Sequence, residues 1–193
     1  MATPIQRPGL LRRQSYLIEQ NVASLRQAIA ALEQIDDLTY RNSPPVLAPH
    51  RVGGHIRHIL EFYECFLDGF ECSHIDYDAR KRDESVETSR EIALARIRLT
   101  VLRLERLKKT RELRGDSIVW VRVEDAGNAR LDDTYMTSSV GRELQALSSH
   151  TVHHFALVAM TLNVLGHPLD RDFGTAPSTL RYRAAQRSAA EAA

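Results

Sequence analysis

Cysteine is scarce in this chain, with only Cys65 and Cys72 among its 193 residues. Seven apart on one helical pattern, they build no disulfide framework, so a reducing compartment is expected. Long apolar runs are missing too. No stretch approaches the roughly 18 to 20 residues that cross a bilayer, and Met1 to Pro8 lacks the pattern of a signal peptide. The expected location is cytoplasmic, with no membrane partner. An excess of one charge is also lacking: Lys and Arg total 26, Asp and Glu 25, and the formal net charge is +1. That balance gives no global field for nucleic acid, which is not expected as a partner either. The run from Arg103 to Arg114 is basic, but it is interleaved with Leu and Glu and reads as the wet face of a helix.

What remains is ordinary for a soluble globular protein: 43% hydrophobic and 26% charged residues. The length suits one domain with a substantial core, expected to span 1–193 with its core at about 10–165 and a tail at 166–193.

Apolar periodicity predicts an all-α architecture. Ile18, Val22, Leu25, Ile29, Leu32 and Ile35 recur at three- and four-residue steps, one face of a helix over about 10–40. Asn42, Ser43, Pro44, Pro45 and Pro49 break it. A second helix follows over about 51–71, with Val52, Ile56, Ile59, Phe62, Tyr63, Phe66 and Phe70 as its stripe. Residues 73–83 are charged and aperiodic and read as a connector. A third helix is expected over about 85–113 and is stopped by Gly115 and Asp116. Ser117 to Val123 is β-branched and aromatic, Ala126 to Ala129 is a turn signal, and Leu131 to Met136 reads as a returning strand. Together they predict a small β-hairpin. Thr137, Ser138 and Ser139 offer N-caps for a fourth helix running to about Leu165, where Gly166 and Pro168 end it. An ordered-looking loop over 172–182 and a frayed Ala-rich end complete the chain. The expected fold is a four-helix bundle with a small hairpin between helices three and four.

The fourth helix carries the chemistry. Residues four apart on a helix point the same way, so His150 and His154 can chelate one ion from a single face. Leu147, Leu157 and Val164 share that side, whereas His153 falls elsewhere. Two imidazoles in an apolar stripe need partners. A divalent cation is one such partner, since neutral imidazole suits zinc, nickel, iron and copper; hydrogen bonds in the core are the other. A third ligand is offered by His55 or His58 on the second helix. Periodicity leans slightly to His55, and spacing alone does not choose between them.

A histidine early in helix two, the His150–His154 pair and the four-helix length resemble the DinB/YfiT-like superfamily of metal-binding helical bundles. The likeness covers about 10–165. In that family the helix-two ligand precedes an aliphatic residue, and Gly54-His55-Ile56-Arg57-His58-Ile59 is similar with His58 in the ligand place. The resemblance thus implies His58, His150 and His154 as metal ligands, with the remaining positions open. It also implies a metal-dependent enzyme acting on a small molecule, a transferase using a low-molecular-weight thiol or a hydrolase, with zinc, nickel or iron bound. Iron-dependent sulfoxide synthases are relatives as well, but Ala156 stands where their pattern has Glu.

Further polar residues are candidates for the pocket. Arg80 is of the type that clamps an anionic substrate, and Tyr77 can donate to a developing oxyanion. Glu143, two turns before His150 on the histidine side, is a candidate acceptor for an imidazole N–H or a general base. Against these roles stand a solvated loop for 76–82 and a surface ion pair for Arg142 and Glu143. Phe173 to Thr179 reads as packing rather than a lid, and nothing nearby marks Cys65 or Cys72 as a nucleophile. Three classes follow: a metal-dependent enzyme, a non-catalytic metal-binding module, and a metal-free bundle acting through dimerisation. A homodimer is an expected state, since bundles of this size often pair through a remaining apolar face.

Overall fold

The computed structural model describes residues 10–109, 115–122 and 134–191. In chain order its elements are α1 (Leu10–Glu33), α2 (Asp37–Arg41), α3 (Val52–Phe70), β1 (His74–Ile75), α4 (Glu84–Thr88), α5 (Arg90–Lys109), β2 (Ile118–Arg122), β3 (Tyr135–Ser139), α6 (Val140–Val164) and α7 (Pro177–Glu191). The chain is mostly helical, with one small sheet. No helix among the described residues is long and apolar enough to cross a membrane.

The predicted stripes of α1 and α3 become the core, joined by residues of α5 and α6. Ile18, Leu25 and Leu32 of α1, Ile59, Tyr63 and Phe66 of α3, Ile97 and Leu104 of α5, and Leu144, Phe155 and Leu162 of α6 are almost fully buried. α1 packs on α5 and α6, and α3 packs on α6 and α5. Where these helices meet, one polar knot is closed inside. Asn21 donates to the carbonyls of Leu17 (2.8 Å) and Leu144 (3.0 Å), and the Tyr63 hydroxyl donates to Asn21 Oδ1 at 2.6 Å. Every buried polar atom of Asn21 thereby has a partner, which removes the desolvation cost of placing it there.

Several boundaries differ from the periodicity. The first predicted helix is two: α1 stops at Glu33, and Asp36 starts α2 by accepting from the Thr39 amide at 2.7 Å. The third is also two. Asp83 caps α4 through the Ser85 amide at 3.0 Å, and Ser89, extended at φ −123 and ψ 112, separates α4 from α5. In both places a short polar side chain satisfies free amides that a continuous helix would not expose. The predicted end of the third helix at 110–113 and the turn at 126–129 lie outside the described residues.

The predicted hairpin is part of a three-stranded sheet in the order β1-β2-β3. β1, inside the supposed connector, pairs parallel to β2 with His74 opposite Trp120. β3 pairs antiparallel, from Ile118 opposite Ser139 to Arg122 opposite Tyr135. Thr137 and Ser138, offered as caps, are therefore strand residues; Ser139 alone caps α6, accepting from the Arg142 amide at 3.3 Å.

The tail is a correction. Instead of a frayed end, Pro177 opens the helix α7, with the ring at the first helical position where its missing N–H is not needed. Arg181 then donates to the Tyr16 hydroxyl at 2.9 Å and ties α7 to α1. Phe173 stacks on buried Phe155 at 4.7 Å, so the preceding loop packs on the core.

The inner face of α6 is rotated from the predicted stripe. Val140, Leu144, Leu147, Thr151, Phe155, Val158 and Leu162 are buried, whereas His150, His154 and Leu157 are half-buried and Val164 is exposed. The histidines therefore sit at the rim of the α3–α6 seam, not on its centre line.

Gly53 sets how closely α3 approaches α4, because a Cβ there would lie 2.0 Å from the Glu87 carbonyl oxygen. At Gly54 the nearest atom would be Arg51 Cγ at 3.5 Å, an ordinary contact. Gly53→Ala is expected to destabilise the protein by about 1–3 kcal/mol through overpacking. Gly54→Ala is expected to be neutral or stabilising by up to about 1 kcal/mol through helix propensity. Urea denaturation of the two variants checks the contrast, and equal effects would contradict it.

Candidate metal centre

Three imidazoles meet at the rim of the α3–α6 seam. His58 comes from α3, and His150 and His154 come from successive turns of α6. Ring centroids are 4.9 Å apart for His58–His150, 4.6 Å for His58–His154 and 4.5 Å for His150–His154. One ligand atom from each lies within 4.8 Å of the others, so the group is able to hold a metal ion. Burial, and then the neighbouring imidazoles and cations, push their pKa values down to about 4 for His58 and His150 and about 3 for His154. At neutral pH all three rings are uncharged, the form that ligates.

The surroundings of His150 and His154 fit an ion. His150 Nε2 is buried and has no hydrogen-bond partner. His154 turns its Nδ1 to His55 Nδ1 at 3.1 Å, which leaves its Nε2 for a ligand, the arrangement in which an outer partner orients a metal-binding ring. His55 is thus beside the cluster but behind His154. His153 is exposed, with its ring centroid 5.2 Å from that of His154.

One wall of the site is aromatic. Phe62, one turn after His58, stacks on His150 at 4.1 Å, and Tyr77 stacks on Phe62 at 5.2 Å. The Tyr77 hydroxyl donates to Glu143 Oε2 at 2.8 Å, and Ser138 Oγ donates to Oε1. Burial, with Glu143 beside it, pushes the Tyr77 phenol well above its ordinary pKa, so it stays protonated. Glu143 is 7% exposed and is no surface partner of Arg142. Among the described residues it accepts from Tyr77 and Ser138, so it anchors the aromatic wall.

Arg80 lies over Phe62, with Cζ 5.1 Å from the ring centroid, and donates from Nη1 to His58 Nδ1 at 2.7 Å. The loop carrying Tyr77 and Arg80 is itself held in place. Asp76 Oδ1 accepts from the Asp78 and Ala79 amides at 2.9 and 3.2 Å, and Oδ2 accepts from Arg122 at 2.8 Å. The supposed solvated connector is an ordered flank of the site.

Cys65 and Cys72 are free thiols; burial pushes the Cys65 pKa up to about 11, far from a nucleophile's range. Sequence reasoning did not single out Arg51, Arg57 or Glu87, which border the cluster. The only available signal was the placing of Arg51 and Arg57 around the Gly53-Gly54 start of α3, which periodicity treats as a wet face; Glu87, on α4, left none. Comparison of the chain with family models, curated proteins and solved structures finds no match.

Two predictions follow from this geometry. A guanidinium has donors only, so His58 Nδ1 accepts from Arg80 and the neutral ring carries its hydrogen on Nε2. An ion on Nδ1 would need the place of the guanidinium. An ion on Nε2 would leave hydrogen on Nδ1, donor facing donor. Ligation by His58 and the Arg80 contact therefore exclude one another. Arg80→Met is expected to bind zinc about tenfold more tightly than the unaltered protein, a charge-assisted hydrogen bond no longer having to break. Competition with a chelating dye measures this, and equal affinities would remove the conflict.

The second prediction concerns pH. An unfolded histidine titrates near 6.5, and these rings near 3 to 4 when folded. Between those values the unfolded chain binds more protons, so stability rises with pH. The contribution is fully present above about pH 6.5 and is lost as pH falls toward 4. With chelator present, the melting temperature should drop steeply from pH 7 to 4.5, and less steeply in His150→Ala. Parallel profiles for the two proteins would contradict this.

Proposed function

We propose that this protein is a DinB-like metal-dependent enzyme acting on a small molecule. His58, His150 and His154 hold one divalent zinc, nickel or iron ion in a four-helix bundle formed by α1, α3, α5 and α6. The observation that carries this reading is the convergence of three neutral, half-buried imidazoles, two of which, His58 and His154, open onto a cavity. Three uncharged ligands leave the full charge of the ion for an incoming group, and the open side is the catalytic style of site. When bound, the ion supplies Lewis acidity and lowers the pKa of a thiol or water that joins it.

The chain's own residues supply the rest. Arg80 brings a fixed positive charge to the site's edge, for a thiolate or carboxylate. Phe62 and Tyr77 exclude water from one side of His150, and Glu143 keeps the Tyr77 phenol in position. A thiol-dependent transferase is the reaction type favoured by this combination, with a hydrolase as the other outcome of an activity screen.

Metal content tests the reading. Elemental mass spectrometry of protein purified without an affinity tag should find about one equivalent of metal per chain, by the stoichiometry of one open three-histidine site. It should find none in His150→Ala, His154→Ala. Absence of metal from both, after zinc, nickel or iron has been offered, would sink the enzyme proposal. Loading without turnover of any thiol and electrophile pair would leave a binding module.

A further inference from the structure

The cavity beside the histidines has a volume of about 420 Å³. His58 and His154 both open onto it, so it is the approach to the candidate centre. Its other walls come from the first turns of α3, the loop before it, and Glu87 of α4.

Hydrogen-bond donors dominate this lining. Arg51 and Arg57 bring two guanidiniums, and Glu87 is the one carboxylate among the lining residues. That carboxylate is already engaged by both, with Arg57 Nε at 2.9 Å and Arg51 Nε at 3.3 Å. The Arg57 contact is a charge pair rather than an aligned hydrogen bond, since Arg57 Nε is buried without a hydrogen-bond partner, and within the lining one carboxylate faces two guanidiniums. The far side of Arg57 is 3.7 Å from Glu61, which is not part of the lining. Arg51 is also the N-cap residue of α3 and makes no side-chain cap hydrogen bond. The amide end of a 19-residue helix thus opens here with its partial positive charge, and Gly54, in the lining, puts no side chain in the way.

A further, independent feature is His55. It is only 8% exposed, it lines the same cavity, and its Nε2 is buried without a hydrogen-bond partner. Its Nδ1 faces His154 Nδ1 at 3.1 Å, where one of the two nitrogens must carry the hydrogen. If His154 ligates through Nε2, its own Nδ1 carries that hydrogen and His55 accepts. His55 Nε2 is then an N–H with no acceptor. A buried donor without an acceptor is costly, and Glu87 is the one carboxylate in the lining. A negatively charged group rich in acceptors fits this donor beside the two guanidiniums.

We propose that this cavity is an anion subsite that takes the carboxylate or phosphate group of the small-molecule substrate. Arg51, Arg57, His55 Nε2 and the first turn of α3 bind that group, and the rest of the molecule is directed at His58 and His154. As a substrate subsite the inference rests on the proposed function; as an anion site it rests on the two guanidiniums and the start of α3, and only the His55 Nε2 contact depends on ligation by His154.

The test is nitrogen-15 NMR of the full chain, chelator-treated, titrated with inorganic phosphate, malonate and uncharged malonamide. Phosphate and malonate should shift the Gly54, His55 and Arg57 amides saturably, and malonamide should not. Arg51→Gln and Arg57→Gln should each weaken malonate by about tenfold, the loss expected for a charge-assisted contact. Arg51 is the safer variant, because its side chain is 41% exposed, and circular dichroism confirms the fold of both. Equal shifts with malonamide, or anion shifts confined to other residues, would overturn the subsite. Anion binding in a protein that takes up no metal would retain the subsite and sink the enzyme reading, whereas metal uptake without these shifts would do the reverse.

Discussion

The seam between α3 and α6 is the constraint on which the rest depends. Deep in the seam, Tyr63 and Thr151 face one another and join Asn21 of α1, with the Tyr63 hydroxyl 3.1 Å from Thr151 Oγ1. At its rim the same two helices present His58 and the His150–His154 pair. A satisfied polar contact in the interior permits one axial register of the two helices, because any slip leaves buried groups unpaired. The register that closes the knot is also the one that brings the imidazoles within one ion's reach. Stability and site geometry are thus fixed by the same contacts.

Around that seam, partners are distributed so that the histidines stay neutral yet are held from outside. Arg80 contacts His58, His55 contacts His154, and Phe62 covers His150. The Arg80 contact is the one in conflict with ligation. The aromatic wall is indirectly braced by a carboxylate, since Glu143 holds Tyr77 against Phe62. Among the described residues none of the three histidines hydrogen-bonds to a carboxylate, so a bound cation would keep its charge for an incoming ligand.

Much of this was legible in the chain. The four apolar stripes gave the long helices, and the i, i+4 pair gave the two imidazoles that α6 brings to the cluster. What periodicity missed lies at short polar residues. Asp36 and Asp83 open new helices because each satisfies an amide locally, an event of two or three residues inside an averaging window. The parallel pairing of β1 with β2 joins residues more than forty apart, and two residues of strand leave no pattern to detect. His55 and His58 are three apart and both near the apolar stripe, so their order of preference was within the error of a helical wheel.

By itself the sequence determined the helical class, the balanced charge, and the histidines available to a single ion. Those properties depend on residue type and on spacing along one helix, which local geometry fixes. Spacing left His55 and His58 open and the resemblance implied His58; the tertiary structure brought His58 to the α6 pair and placed His55 behind His154. It also set Tyr77 and Glu143 to brace a wall and turned Arg51, Arg57 and Glu87 toward a common cavity. These arrangements depend on the rotation and register of α3 against α6 and α4. Packing sets both, through the close approach allowed at Gly53 and the hydrogen bonds that must be satisfied in the core.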